Sequence, residues 1–351
     1  MKALTSGGRQ TRRAPTIYAV AERAGVSIAT VSRVQRGTEQ VAAPTRDRVE
    51  RAIEELAYRP SRLGRSLAHG SHDATGIVFP DLSGPYYSSV ILGYEEAAAA
   101  DGRSTLILAT HRRDRSGDQV LELADRVDGL VIMGRTVGDE VIEGLDRRGV
   151  PVVVLARPPA DGADSVRAEN VRNATKLVGH LIGHGHERIA FLGDPEASTD
   201  AGERWEGFVA AHDAAGRAPA FAAQACGFRE ADGRAAAEAL LAGPHRPTAI
   251  VAANDEIAMG VLEAARDRGL RLPDDLAITG WDDIPVARHL TPSLTTVRQP
   301  MLDLGRRAAA LLHERITAIR TDPRHEVLPT ELVVRSSCGC TAPLSEGGVS
   351  P

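Results

Sequence analysis

Thr16-Ile17-Tyr18-Ala19-Val20-Ala21-Glu22-Arg23-Ala24-Gly25-Val26-Ser27-Ile28-Ala29-Thr30-Val31-Ser32-Arg33-Val34 is the stretch on which the reading of this chain turns. Ile17, Val20, Ala21 and Ala24 fall at i, i+3, i+4 and i+7, one apolar stripe on a helix, and Thr16 suits its N-cap. Gly25 ends that helix, and Val26 supplies a buried turn residue. Ser27 caps a second helix over Ile28–Gln35, with Val31 and Val34 on its inner face, and Gly37 stops it. A third stripe of Val49, Ile53 and Leu56 closes a three-helix unit. Two short helices joined by a glycine-containing turn are the sequence form of a helix-turn-helix. Ile28, Ala29, Thr30, Ser32 and Arg33 lie at the start and outer side of the second helix, where such helices meet base edges. Arg33 offers donors to guanine or phosphate, Thr30 and Ser32 offer hydroxyls, and Ile28 or Ala29 suits a thymine methyl.

Charge supports a polyanion at this end only. Of 42 basic and 47 acidic residues, 13 and 6 fall in residues 1–70, leaving 29 and 41 for the rest. A net +7 head therefore precedes a net −12 body. Residues 1–15 are polar, rich in Gly, Ser and Arg and without period, which reads as a disordered basic arm. Three cysteines in 351 residues speak against a disulfide framework and for a reducing compartment. No apolar run approaches the roughly 18 residues of a membrane span, and Arg12-Arg13 is followed by no apolar export region, so a cytoplasmic protein is expected.

The head resembles that of the LacI/GalR family. The match runs without gaps through Thr16–Val34 and continues in Ile53-Glu54-Glu55-Leu56-Ala57-Tyr58-Arg59-Pro60. Tyr18 and Ser27 join Thr16 and the second-helix residues as DNA contacts on this resemblance. Ala19, Gln35-Arg36 and Ala42 depart from the usual residues; Arg36 bears on phosphate contacts, and Ala42 removes a capping hydroxyl worth ~1 kcal/mol. Residues 61–72 read alone as a linker. The resemblance makes them a hinge that folds on DNA, with Arg65, Ser66 and Leu67 as DNA-binding residues and Leu67 wedged into a minor-groove step. Gly64 lowers its helicity by ~1 kcal/mol.

From Asp73 apolar strands alternate with amphipathic helices. One series of strands is expected at Gly76–Pro80, Thr105–Ala109, Gly129–Met133 and Val152–Leu155. A second falls at Arg188–Leu192, Ala220–Gln224, Ala249–Ala252 and Ala277–Trp281. This is an α/β pattern of parallel sheets in two lobes, with a ligand cleft at the strands' carboxyl ends. The resemblance implies a periplasmic-binding-protein-like body over 73–340. Crossings are expected near Ala168, Gln299 and Pro329, giving one lobe of about 73–168 and 301–328 and another of about 169–300 and 329–340, before a tail at 341–351. It also implies an effector site of Ser83, Tyr86 and Tyr87 in Asp81–Tyr87, with Arg204, Phe228, Asn254 and Asp282. Arg204 offers a fork of donors and Asp282 two acceptors, a pair suited to vicinal hydroxyls. Asp255 and Asp283 read as helix caps or lobe bridges. Ala156 stands where the family often has Asp. Arg157 beside it is expected to bring a positive charge to the rim and to leave room for an acidic or phosphorylated sugar.

Other chemistries find little support. His180 and His184 have a helical metal-binding spacing beside His186, but no carboxylate completes a motif, Gly183 and Gly185 suggest a fraying helix end, and the family carries a similar segment structurally. Cys338 and Cys340 are too close in sequence for a zinc pair on their own and read as incidental. No metal, cofactor or catalytic residue is expected. The function expected is a homodimeric regulator binding a near-palindromic DNA operator, most simply a repressor released by a sugar-like effector. An activator or corepressor-dependent regulator is the alternative, and a solute-binding protein a remote one. The tail lacks leucine heptads, so a dimer rather than a tetramer is expected.

Overall fold

The computed structural model describes residues 15–35, 41–58, 71–111 and 113–340, and the chain divides into two compact units between His72 and Asp73. Arg36, Gly37 and the hinge residues Arg65, Ser66 and Leu67 lie outside the described residues, as do the arm up to Ala14 and the tail from Thr341.

The first unit holds α1 (Ile17–Ala24), α2 (Ile28–Gln35) and α3 (Ala43–Glu55). Thr16 caps α1 by accepting from the Ala19 N–H, and Gly25 ends it in the left-handed conformation (φ 64°). Val20, Val31 and Val49 are fully buried and hold the three helices together, with Val34, Val41 and Ala52 beside them. Nothing from the Ala42 side chain caps α3, as its missing hydroxyl requires.

The second unit carries the α/β body. A six-stranded sheet runs in the order β10-β5-β4-β3-β1-β2, all parallel. Its strands are β1 (Ala74–Phe79), β2 (Ser104–Ala109), β3 (Leu130–Met133), β4 (Val152–Leu155), β5 (Asp164–Ala168) and β10 (His325–Leu328). Buried on both faces, β1, β3 and β4 are nearly continuous apolar runs, as a helix-covered parallel sheet demands. Three helices cover it after β1, β2 and β3: α4 (Pro85–Ala100), α5 (Ser116–Ala124) and α6 (Asp139–Arg147). The second sheet is parallel in the order β6-β7-β8 (Ile189–Leu192, Ala249–Ala252, Ala277–Thr279). Its helices are α7 (Val171–Gly183), α8 (Thr199–Ala214), α9 (Glu230–Ala242) and α10 (Asp255–Asp267). A two-stranded antiparallel ribbon, β9 (Thr296–Arg298) with β11 (Glu331–Val333), carries the chain between the lobes alongside the β5–α7 connection. α11 (Met301–Ile316) returns to pack on α4.

One expected strand is not formed. Ala220–Gln224 contributes only a bridge, in which Gln224 exchanges backbone hydrogen bonds with Phe191 and Gly193. Pro219 precedes this run, and the residues before Gln224 find no ladder partner among the described residues. Conversely β5, β9, β10 and β11 are polar strands (Asp-Ser-Val-Arg-Ala, His-Glu-Val-Leu) whose sequences lack an apolar signal.

The α4–α11 crossing is backbone on backbone. A Cβ on Gly93 would lie 1.9 Å from the Leu302 carbonyl oxygen, and one on Gly305 would lie 2.0 Å from that of Val90. Gly305→Ala must therefore push the helices apart and is expected to cost about 1–3 kcal/mol. Gly144→Ala on α6 meets only the tip of Arg147 at 3.9 Å and is expected to be neutral or slightly stabilising. Urea denaturation followed by circular dichroism checks both; equal midpoints for the two variants would contradict the close crossing.

Candidate functional site

On the first unit, the α2 face is set by its capping. Ser27 accepts from the Thr30 N–H at 3.2 Å, and the two hydroxyls lie 2.9 Å apart. With Val31 and Val34 turned inward, Ile28, Ala29 and Arg33 are left exposed, and Thr30 and Ser32 are half-buried. Ser27 is exposed at the helix start, Thr16 is exposed at the start of α1, and Tyr18 is 69% exposed. An apolar Ile28 and a large Tyr18 in water beside donors make a surface shaped for something other than solvent.

On the body, the order β2-β1-β3-β4-β5 places the topological switch between β1 and β3, where ligands bind at strand carboxyl ends. The loops after those strands face the loops after β6 and β7 of the other lobe and enclose a cavity of about 950 Å³. Ser83, Tyr86, Tyr87, Arg204, Phe228, Asn254 and Asp282 all line it. The fold thus gathers every expected effector residue in one place, although they span two hundred positions.

Arg204 is the most constrained of them. It is 4% exposed, donates from Nε to Asn170 Oδ1 (3.0 Å) and from Nη1 to the Ala253 carbonyl (2.6 Å), and lies 4.6 Å from the centre of the Trp281 ring. Asp200, one helical turn earlier on α8, stands 3.9 Å from Nη2. Asp282 sits on strained backbone (φ 113°, with Asp283 at 56°), pinned by its N–H to the Val297 carbonyl at 2.8 Å. Two successive residues there store about 1–3 kcal/mol each, which is typical of functional loops. One carboxylate oxygen accepts from Gln299 Nε2 at 2.5 Å. Burial pushes the Asp282 pKa up to about 7 against the opposing pull of Arg204 and Gln299, and burial likewise raises Asp200.

Three polar atoms of cavity-lining residues lack any hydrogen-bond partner among the described residues: the Tyr86 hydroxyl, the Thr199 hydroxyl and Gln299 Oε1. A buried unmet group costs about 1–3 kcal/mol, which a ligand hydroxyl relieves. Asn254 is differently engaged. Its Oδ1 caps α10 through the Ile257 N–H at 2.8 Å, and its Nδ2 donates to the Phe228 carbonyl at 3.0 Å, so it shapes the wall and positions Phe228. Tyr87 packs edge-on between Phe79 and Tyr86, at 5.7 and 5.5 Å between ring centres.

Asp255 and Asp283 act as fasteners. Asp255 accepts from Thr296 Oγ1 (2.6 Å) and the Ile284 N–H (2.9 Å), and Asp283 from Arg298 (2.8 Å) and Arg335 (2.6 Å). The expected positive rim at Arg157 is corrected. That side chain is 7% exposed, paired with Asp139 and bonded to the Val137 carbonyl at 3.2 Å, and it lies outside the main cavity. Its neutralising partner is eighteen residues upstream, invisible to a local reading. Nine carboxylates and five arginines line the cavity, which disfavours an anionic ligand. Across the cleft mouth, Asp81 of one lobe pairs with Arg229 of the other at 2.6 Å, and Arg135 donates to the Glu196 carbonyl at 3.0 Å. Asp200 and Arg229 escaped the sequence reading, while Asp81 entered it only as the start of a loop and Gln299 only as a crossing point; Asp200, on the same helical face as Arg204, left a signal there.

Because the folded pKa of Asp282 lies above 3.8, the folded state holds a proton that the unfolded chain releases. Its share of stability is therefore present below 3.8 and is lost as pH rises towards about 7. Asp282→Asn is expected to lessen that decline in urea midpoints across the same range; an unchanged decline would contradict the burial of an ionisable carboxyl.

Comparison with known proteins fits both surfaces. The pattern described as bacterial regulatory proteins, lacI family, matches residues 16–61, and that of a periplasmic binding protein-like domain matches 178–338. The HTH-type transcriptional regulator CelR of Thermobifida fusca is 35% identical over 341 residues, covering 93% of this chain and 99% of its own. Catabolite control protein A of Priestia megaterium is 35% identical over 330 residues, covering 92% of this chain and 98% of its own. Among solved structures, the lac repressor dimer bound to operator and the anti-inducer ONPF superposes with a TM-score of 0.82 at 28% identity, covering 93% of this chain and 99% of its own. The CelR–cellobiose complex gives 0.69 at 33%, covering 92% and 99%. With a helix-turn-helix head, a two-lobed parallel α/β body and relatives matched over nearly their full length, the chain belongs to the LacI family of DNA-binding transcriptional regulators.

Proposed function

We propose that this regulator is a homodimeric, cytoplasmic repressor whose operator affinity falls when a neutral polyhydroxyl ligand, a sugar or close derivative, occupies the interlobe cavity. The observation that carries the ligand class is the lining itself. Tyr86, Gln299, Asp282 and Arg204 line one space beside half-buried Tyr87 and Phe228, and the Tyr86 hydroxyl and Gln299 Oε1, buried at that wall, have no partner among the described residues. Aromatic faces for the C–H side of a ring and unmet polar atoms for its hydroxyls are the chemistry of carbohydrate recognition. The cellobiose complex of CelR and the ribose-bound LacI-family regulator from Enterococcus faecium are similar structures with such ligands. On the head, Thr16, Tyr18, Ser27, Ile28, Ala29, Thr30, Ser32 and Arg33 are assigned to DNA, and Arg36, Arg65, Ser66 and Leu67 outside the described residues share that assignment. Two copies reading two half-sites account for a near-palindromic operator. Exposed Leu92 on α4 and Ile107 on the edge strand β2 suit the contact between copies. Among the described residues no helix is long and apolar enough to cross a membrane. The ligand is sensed and not transformed.

The test is a thermal-shift screen of neutral mono- and disaccharides against sugar phosphates. A true ligand at 100 times its Kd stabilises by about 2.7 kcal/mol. Stabilisation by sugar phosphates alone would overturn the neutral class. The ligand found should release the operator, and tighter binding would reverse the sign to corepression. Asp282→Ala should abolish this response with operator affinity intact. Arg33→Ala should weaken operator binding by about 1–3 kcal/mol. Operator affinity should also fall with salt, with a log–log slope of about −0.9 for each phosphate neutralised.

A further inference from the structure

The fold brings together two residue pairs that lie about 158 positions apart. His180 occupies the last turn of α7 and His184 its C-cap, and their rings meet edge to face at 4.7 Å. The C-terminal segment after β11 makes a short 3-10 turn over Ser336–Cys338, and Gly339, in the left-handed region (φ 92°), reverses the chain. That reversal directs both Cys338 and Cys340 at the histidines. His180 Nε2 lies 3.3 Å from Cys338 Sγ and 3.3 Å from Cys340 Sγ, and His184 Nε2 lies 3.0 Å from Cys340 Sγ. Ligand atoms of His180, His184 and Cys340 all fall within 4.8 Å of one another.

The Cys-x-Cys spacing is short for a zinc pair only when both halves of the site must come from one strand of sequence. Here α7 supplies the second half as His-x-x-x-His. We propose that His180, His184, Cys338 and Cys340 form a tetrahedral binding site for a structural zinc ion. Two thiolates with two imidazoles are a donor set for that ion, and four protein ligands leave no open position, so the site is structural rather than catalytic. Zn–S near 2.3 Å and Zn–N near 2.0–2.1 Å in a tetrahedron place N and S about 3.6 Å apart. The three observed contacts are a few tenths of an ångström shorter, so His180, His184 and Cys340 need only spread slightly, while Cys338 Sγ, in contact with His180 but outside the 4.8 Å group, has to swing in to complete the tetrahedron. Supporting contacts are in place. Cys338 is fully buried, and its sulfur accepts from Thr295 Oγ1 at 3.1 Å, the kind of outer contact that steadies a metal thiolate. His184 is exposed and Cys340 half-buried, which gives an ion a way in from solvent. The ion clasps the end of the body to α7 and so anchors β11, one of the strands joining the lobes.

The full-length chain without an affinity tag, purified anaerobically and stripped with chelator, tests this. After one equivalent of Zn²⁺ and gel filtration, wild type is expected to retain about one ion per chain by elemental analysis. Thiol titration should find two of the three cysteines protected. Cys340→Ser and His184→Gln, both at the accessible side, should retain none while keeping the wild-type circular dichroism spectrum. Should either variant misfold, Co²⁺ added to wild type decides alone: a thiolate-to-metal charge-transfer band supports the site, and a spectrum of hexaaqua cobalt overturns it. Zinc retention by wild type no greater than by these variants overturns it, as does a Cys338–Cys340 disulfide that persists in anaerobic protein given zinc.

Discussion

A buried guanidinium organises the body. Arg204 ties α8 to the β5–α7 connection through Asn170, to the end of β7 through the Ala253 carbonyl, and to the loop after β8 through the face of Trp281. Removing such a charge from water costs several kcal/mol, offset because Nε and Nη1 are hydrogen-bonded, Asp200 stands near Nη2 and an aromatic face lies against it. The carboxylates nearby are consequences of the same arrangement. Asp200 and Asp282 stay in the cleft wall because Arg204 offsets part of their desolvation, and burial still wins, raising both. The floor of the cleft is thus preorganised before any ligand arrives, and recognition needs little side-chain ordering.

The two surfaces differ in kind. The α2 face is an exposed surface built by excluding Val31 and Val34 from solvent, so its chemistry is fixed by helical period. The cleft is built by topology. Parallel sheets direct the loops after β1 and β3 against those after β6 and β7, whatever the loops contain. Specificity then rests on a few substitutions within those loops. Asp81–Arg229 and Arg135–Glu196 bridge the mouth, so closure and ligand contact share the same loop residues.

The helices of the head and the strands β1, β3, β4, β6 and β7 were legible within two residues because each is an apolar run bounded by glycine, proline or polar turns. The polar strands β5, β9, β10 and β11 were not. Their stability comes from neighbours brought by the crossings, as when Arg320 pairs with the fully buried Asp164 of β5. The cavity-lining residues were legible where resemblance supplied them. Gln299 was visible only as a crossing point, and Arg157 was misjudged because its partner Asp139 is distant in sequence. The same blindness hid the His180–Cys340 cluster, since no local spacing joins α7 to the chain's end.

The glycine-sealed crossing of α4 and α11 has a mechanical meaning. At their two closest points the helices touch through backbone, with Gly93 against Leu302 and Gly305 against Val90, so sliding of one on the other is opposed there. Gly233 and Gly260 place α9 against α10 in the same way in the other lobe. A load on either lobe is therefore resisted at these seams, which leaves the three connecting strands as the softer path for any movement of one lobe against the other.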